Sequence, residues 1–384
     1  MSNIYQANEE NIAKAAEVIK NGGLAAMPTE TVYGLGANVY DAKAVAKIFA
    51  VKRRPTFDPL ISHIADFDAL PDYALADERA LALARRFWPG PFTMVLKRRG
   101  QNPGVDLACS GLPTTTVRMP KHPVAAALIR QSGVPIVAPS ANLFKSVSPT
   151  TAQHVYDGLG EAVDMILDGG SCAVGVESTI LDVTGKNTVL LRAGGTTLEE
   201  IEDFLNEKVL VSHGEPDRPS APGQLLRHYA PGHKLRINAE KAEDDEFYIG
   251  FGGRDGDLNL SPSGDLCEAA ANLFAFLRRA DALAGSRTLA MAPIPSAWRS
   301  TTASGGRLTI DVGKFNVFLF RVVADGEFAV AQFEGFAAEN LIPPAAKCRV
   351  VFVLVSRQFL QSGIAGDQAG NHAFPLGDDF QQHF

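Results

Sequence analysis

Two separated stretches carry the side chains that could do chemistry. From Pro28 to Pro55 the chain reads PTETVYGLGANVYDAKAVAKIFAVKRRP, and from Ala138 to Asn142 it reads APSAN. The first offers the hydroxyls of Thr29 and Thr31, a glycine turn at Tyr33-Gly34-Leu35-Gly36, and the cationic exit Lys52-Arg53-Arg54-Pro55. The second sets a small hydroxyl, Ser140, and an amide, Asn142, at the end of an apolar strand. Hydroxyls, turn amides and cations are what a phosphate or carboxylate needs, and glycine lets the backbone approach a ligand closely. Together the stretches read as two walls of a nucleotide site. No Ser-His-Asp or Cys-His arrangement accompanies them, so the chemistry they suit is phosphoryl-type transfer by positioning and cationic stabilisation.

Each signal also has a plainer reading. A lone G-x-G is usually a turn. Three cations before a proline do not suit a core segment and read as a solvated turn. Ser140 or Ser148 could be a helix N-cap. His63, on the strand running from Pro59 to Ile64, could be a satisfied core histidine. Arg118, amid apolar neighbours in TTTVRMP, is costly to bury without an anion and so calls for a carboxylate or phosphate.

The elements that must position these groups alternate between helix and strand. Ile12, Ala15, Ala16 and Ile19 share one helical face before Asn21-Gly22-Gly23, and Leu24 to Met27 follows as a short buried strand. A helix runs from Asp41 to Ala50 with Val45, Ile48 and Phe49 inward. Beyond Arg79 come a helix, the turn Trp88-Pro89-Gly90-Pro91 and a strand from Phe92 to Leu96. A strand over Thr114 to Pro120, a helix over Pro123 to Ser132 and a strand over Val134 to Ala138 lead to the APSAN end, where open α/β sheets bind ligands. After Thr150 a helix leads into Ile166 to Gly170, and β-branching from Ser178 to Val183 predicts a strand pair that ends at Leu190 to Gly194.

From Val211 to His233 proline, glycine and charge replace any apolar period, which predicts an interdomain linker carrying His228-Tyr229. Beyond it, Phe247 to Phe251, Leu266 to Leu277 and Thr288 to Ile294 give a strand, a helix and a strand, a small α/β unit. Gly250-Phe251-Gly252-Gly253 is a strand-to-turn junction and not a dinucleotide loop, since no helix follows at the required place.

Composition sets outer bounds. The chain's 384 residues, 46% of them hydrophobic, suffice for two domains that each bury a core. A net charge of -7 argues against a protein that grips nucleic acid by bulk electrostatics. Cys109, Cys172, Cys267 and Cys348 lie scattered, without C-x-x-C pairs or metal-ligand spacing, as buried thiols in a reducing cytoplasm would. The first residues lack a basic segment followed by an apolar core, and no run approaches the about 18 apolar residues of a membrane span. A soluble, cytoplasmic protein with no membrane contact is expected.

The motifs PTETVYGLG, K-x-R-P after AKIF, TVRMP, APSAN, GVESTILDV, LLRAG and SAPGQLLRHYAP, in that order between about Glu9 and Pro295, resemble the L-threonylcarbamoyladenylate synthase family in its long form. The resemblance implies an α/β fold. A YrdC-like catalytic domain with a twisted mixed sheet and flanking helices would span residues 1–210, and a linker or lid 211–234. A smaller Rossmann-like α/β domain would span 235–295. It implies a nucleotidyltransferase that makes threonylcarbamoyl-AMP and pyrophosphate from L-threonine, bicarbonate and ATP, with Mg²⁺ accompanying the ATP and no protein metal site. The product would pass to a tRNA threonylcarbamoyl transferase complex, with a weak tRNA contact at most.

By motif, Lys52 and Arg54 would be catalytic and, with Ser140 and Asn142, would hold nucleotide and phosphate. Thr29, Thr31, Tyr33, His63, Arg118 and Ser178 would handle threonine and bicarbonate, Arg118 pairing with the amino acid's carboxylate. Arg192 would bind ATP, Thr116 would line the same pocket, and His228 and Tyr229 would fold over it and exclude water. Two other classes share parts of the pattern. A carbamoyl-transfer enzyme of the hydrogenase-maturation type would need acylphosphatase and zinc-finger modules that the sequence lacks. An RNA-binding YrdC-like module would use the face from Lys52 to Arg54.

The resemblance stops after Ala292-Pro293-Ile294-Pro295. Where the family continues with something close to GLAINDRLRRA, this chain has SAWRSTTASGGR. Codons allowed for Ser296 to Arg307, read from the third base of the serine codon, spell GLAINDRLRRA, which predicts that residues 296–384 are an out-of-frame tail.

Overall fold

The computed structural model describes residues 2–212, 221–223 and 229–294, with the backbone of Trp298–Thr301 and Arg307–Ile310. Every described element lies in one compact unit. His228 and most of the tail expected from residue 296 lie outside the described residues.

The chain begins with β1 (Ile4–Gln6), α1 (Glu9–Lys20), β2 (Ala25–Met27), β3 (Gly34–Asn38) and α2 (Ala42–Lys52). Next come β4 (Ile61–His63), α3 (Leu70–Tyr73), β5 (Ala74–Leu75), α4 (Glu78–Phe87), β6 (Phe92–Arg98), α5 (Pro103–Ala108) and β7 (Thr114–Arg118). Then follow α6 (Pro123–Ser132), β8 (Ile136–Val137), α7 (Ala152–Leu159), β9 (Met165–Asp168), β10 (Thr179–Asp182), β11 (Val189–Arg192), α8 (Leu198–Leu205) and β12 (Leu210–Val211). Local chemistry sets the helix ends: the side chains of Asn8, Asp41, Asp77, Thr151 and Thr197 accept from first-turn amides of α1, α2, α4, α7 and α8.

These strands build one mixed sheet in the order β1-β9-β2-β3-β8-β4-β7-β6-β10-β11-β12, with β5 beside β6. The order places three site-bearing strand ends together. β4 pairs with β7 in parallel so that His63 lies opposite Arg118, and β7 pairs antiparallel with β6, setting Arg118 opposite Thr93. β6 in turn pairs in parallel with β10, which begins one residue after Ser178.

The appended part is a parallel four-stranded sheet of β13 (Leu235–Arg236), β14 (Glu246–Gly250), β15 (Leu258–Asn259) and β16 (Thr288–Met291), ordered β13-β16-β14-β15, with helix α9 (Leu266–Leu283) connecting β15 to β16. A two-stranded antiparallel hairpin over Trp298–Thr301 and Arg307–Ile310 follows. Composition suggested that each domain buries its own core. Instead, the second core draws in Val32, Val147 and Val176 from the catalytic part beside Leu273, Phe274 and Leu277 of α9.

Candidate active site

The cationic exit of α2 departs from the solvated turn that its composition suggests. Arg53 takes the left-handed conformation at φ 52°, and the N–H of Arg54 donates back to the Phe49 carbonyl at 2.9 Å. This helix-ending reversal sends Arg53 to solvent and turns its neighbours inward. Lys52 is 1% exposed and Arg54 6%. Nothing about an arginine at position 53 announces a left-handed residue, so the sequence gives no sign of the reversal.

Lys52 Nζ donates to the carbonyls of Ser140 (2.5 Å) and Asn142 (2.6 Å), joining the two stretches that carry the chemistry. Burial, reinforced by the charge of Arg54, holds its pKa well below the usual lysine range. Arg54 pairs with Asp58 at 2.8 Å, donates to the Pro59 carbonyl at 2.9 Å and lies over the ring of Phe144. The Asn142 amide nitrogen donates to the carbonyls of Leu143 and Ser146, while its buried Oδ1 has no partner among the described residues.

At the other end, Thr29 folds its loop by donating to the Val32 carbonyl at 2.6 Å, and Thr31 accepts from Arg118 Nη1 at 2.8 Å. Arg118 has the anionic partner that its burial demands: Glu30, at 2.7 Å. His63, on the neighbouring strand, is 3% exposed, and its Nδ1 has no partner among the described residues. Burial first, and the charge of Arg118 second, push its pKa down to about 3, so the ring is neutral across the physiological range.

A third group closes the site. Ser178 bonds Thr93 at 2.8 Å and accepts from Arg192 Nη2 at 3.0 Å, and Arg192 Nη1 donates to the hydroxyl of Tyr229 at 3.4 Å. Glu177 accepts from Ser148 Oγ at 2.8 Å and lies 3.8 Å from Arg192.

These groups surround a cavity of about 30 Å³. Of the residues expected at the site, Thr29, Arg54, His63, Arg118, Ser140, Arg192 and Tyr229 line it. Lys52, Thr31, Asn142 and Ser178 stand behind that lining and hold it through the bonds just described. Tyr33 does not join them, because its hydroxyl donates to the Gly170 carbonyl at 2.7 Å and its ring lies in the main core. Thr116 donates to the Leu60 carbonyl at 2.7 Å, away from the lining. Glu30, Asp58 and Glu177 were not singled out from the sequence, although the acids in TET and EST sit directly beside hydroxyls that were.

Comparison with known proteins gives the family. The Sua5, YciO and YrdC family, described as "Telomere recombination", matches residues 17–194, and the model described as "Threonylcarbamoyl-AMP synthase, C-terminal domain" matches 196–304. The Threonylcarbamoyl-AMP synthase of Bacillus subtilis is 46% identical over 236 residues, covering 60% of this chain and 67% of that protein. The Pyrococcus abyssi protein of the same name is 43% identical over 301 residues, covering 73% and 88%. The crystal structure of P. abyssi Sua5 complexed with L-threonine superposes with a TM-score of 0.72 at 36% identity, covering 83% of this chain and 95% of that one. With both family models matched in order and identity sustained along relatives of the same two-part build, the chain belongs to the threonylcarbamoyl-AMP synthase family.

Proposed function

We propose that the chain joins L-threonine, bicarbonate and ATP into threonylcarbamoyl-AMP and releases pyrophosphate. One observation carries this reading: Arg54 and Arg192, with Lys52 behind them, meet His63 and Arg118 around a single cavity. The threonine amine takes up bicarbonate to form a carbamate with loss of water. A carbamate oxygen then attacks the α-phosphorus, the bond to the β-phosphate oxygen breaks, and pyrophosphate departs with that electron pair. Lys52, Arg54 and Arg192 supply cationic stabilisation where charge gathers on the phosphate oxygens. Arg118 exchanges Glu30 for the carboxylate of threonine, and neutral His63 accepts a hydrogen bond without itself changing charge. Ser140 and Asn142, the latter with its unpartnered Oδ1, receive the nucleotide.

A cavity of about 30 Å³ holds little more than one water. Substrates would therefore enter with Tyr229 displaced, and its return would exclude water from a hydrolysable adenylate. Among the described residues no three His, Cys, Asp or Glu side chains cluster to hold a metal. Glu177 is engaged by Ser148 and Arg192, and Asp58 by Arg54. Mg²⁺ bound with ATP would screen the charge of its phosphates.

Among the described residues no helix is long and apolar enough to cross a membrane. We place the enzyme in the cytoplasm, handing its product to a tRNA threonylcarbamoyl transferase complex. The RNA-binding alternative has less to stand on, because Lys52 and Arg54 are buried among carbonyls and a carboxylate and not displayed on a face. Pyrophosphate release by the purified chain tests the reading. Release that needs both threonine and bicarbonate, and falls by about 10²-fold or more in Lys52→Ala, is expected from the loss of one preorganised cation. Release indifferent to threonine would overturn it.

A further inference from the structure

We propose that one face of helix α9, in the appended domain, is a structural wall of the nucleotide site, with Arg278 and Phe274 as positioning residues for groups that would meet ATP. The proposal rests on the functional reading given above. Ala271, Phe274 and Arg278 are spaced i, i+3 and i+7, so they lie along one stripe of the helix. Ala271 and Arg278 meet two backbone segments of the catalytic part, Phe274 meets the ring of Tyr229 in the linker, and each contact leads to a residue of the site.

Ala271 meets Gly175, two residues before Glu177. Gly175 has φ +71°, and a Cβ there would lie 2.4 Å from the Ala271 carbonyl oxygen and 2.5 Å from its Cα. Only glycine allows the segment entering Glu177 and Ser178 to press this closely on the helix. Phe274 stacks on Tyr229 with ring centroids 5.5 Å apart at 24°, and the Tyr229 hydroxyl accepts from Arg192. Arg278 donates to the Val147 carbonyl and, at 3.3 Å, to the Ser148 carbonyl. The Ser148 side chain then donates to Glu177 at 2.8 Å.

The three contacts therefore converge on Glu177 and Arg192 from behind. They are also cemented by apolar packing, since Val147 and Val176 belong to the same buried cluster as Phe274. Burial pushes the Arg278 guanidinium down to about 10, which shows how far it is withdrawn from water to reach those carbonyls. A charged group desolvated to hold a loop carbonyl fixes that loop's position more tightly than apolar contact alone, because the bond has direction.

Simple interdomain packing makes a different prediction, and three variants separate the two. Arg278→Met removes the donors while keeping the apolar stem. Gly175→Ala disturbs the first contact independently. Arg236→Met is the control for general damage, because Arg236 pairs with Glu246 and Glu243 inside the appended domain and contacts none of the site segments. The expected result is a KM for ATP raised about tenfold in Arg278→Met, as for one charge-assisted bond lost, with the KM for threonine within about twofold of the parent. Amide hydrogen exchange over residues 142–150 of the full chain, without nucleotide, should quicken in Arg278→Met and remain unchanged in Arg236→Met. Gly175→Ala should show the same ATP-side signature.

Unchanged exchange over 142–150 in Arg278→Met would overturn the proposal, as would an equal rise of both KM values in Arg278→Met and in a comparably destabilised Arg236→Met. Should the parent chain show no threonine-dependent pyrophosphate release, the functional reading fails, and the exchange measurement alone then decides whether α9 braces the loop.

Discussion

Two buried bases, Lys52 and His63, behave differently from their types in water. Both are stripped of solvent, but Lys52 has two carbonyls to receive its protons, whereas His63 Nδ1 has no partner among the described residues. The pKa of His63 is depressed to about 3, against about 6.5 in an unfolded chain. Between those values the unfolded state takes up a proton that the folded state refuses. The group's contribution is thus fully present above about pH 6.5 and is lost progressively as pH falls toward 3. Urea midpoints at pH 7.5 and pH 4.5 should accordingly fall further in the parent than in His63→Gln, and equal falls would show that His63 is not held neutral. The same neutrality predicts that turnover shows no limb near pH 6.5 from this residue. Residue types were legible where chemistry is unusual for its place, as with Arg118 in an apolar strand or a hydroxyl and amide at a strand end. They were illegible for Glu30, Asp58 and Glu177, because an acid in a loop looks the same whether it meets water or a guanidinium. For Glu30 and Glu177 the guanidinium comes from a distant strand, through Arg118 and Arg192, and for Asp58 it comes from Arg54 four residues earlier.

Among the elements, helix α2 shows how a single backbone dihedral assembles the site. Its apolar face was readable from spacing, and so was the helix Pro123–Ser132. The left-handed Arg53 was not, although it stands exposed between the buried Lys52 and Arg54. A non-glycine residue in that conformation carries a cost of about 1 kcal/mol or more. Arg53→Gly removes the cost, offset in part by the greater freedom of glycine in the unfolded chain. The expected outcome is a gain of about 0.5 kcal/mol in urea unfolding with the KM for ATP unchanged, since the Arg53 side chain faces solvent. A large loss of ATP affinity would instead assign Arg53 a contact with nucleotide. Strand order was also beyond local signals. β9 enters between β1 and β2, and β8 between β3 and β4. β8 itself covers only Ile136–Val137 of the apolar run, because at Ala138 the chain is already leaving for the Ser140 loop. Such insertions depend on which edges are free when each strand arrives, and the strands' own residues do not encode that.

At the scale of the molecule, the appended domain is bound into the catalytic one by a shared core and by a clamp at the linker's end. The amides of Gly232 and His233 donate to Asp281 of α9 at 2.7 and 3.0 Å, and His233 bridges the same carboxylate to the Gly285 carbonyl. If α9 is a wall of the proposed nucleotide site, damage to that domain would reach the site through α9, and a frameshift near Ser296 would have a consequence beyond solubility. A parallel sheet needs cover on both faces. The four-stranded sheet has α9 as its single helix among the described residues, and GLAINDRLRRA, apolar at its fourth and eighth positions on one helical face and with arginines at its ninth and tenth, is the kind of segment that would form a closing helix. We propose that the gene carries a frameshift near Ser296, and reading the locus tests this directly: an uninterrupted frame with homologous tails in relatives would sink it. A chain with the frame restored should unfold at a higher temperature, since GLAINDRLRRA would supply a helix to cover the sheet. It should aggregate less, because β-prone runs such as the one from Arg349 to Val355 disappear with the tail. If α9 is a wall of the site, the restored chain should also bind ATP more tightly while its KM for threonine stays put. Equal ATP affinity in two chains of unequal stability would mean that the appended domain stiffens the molecule without reaching the site.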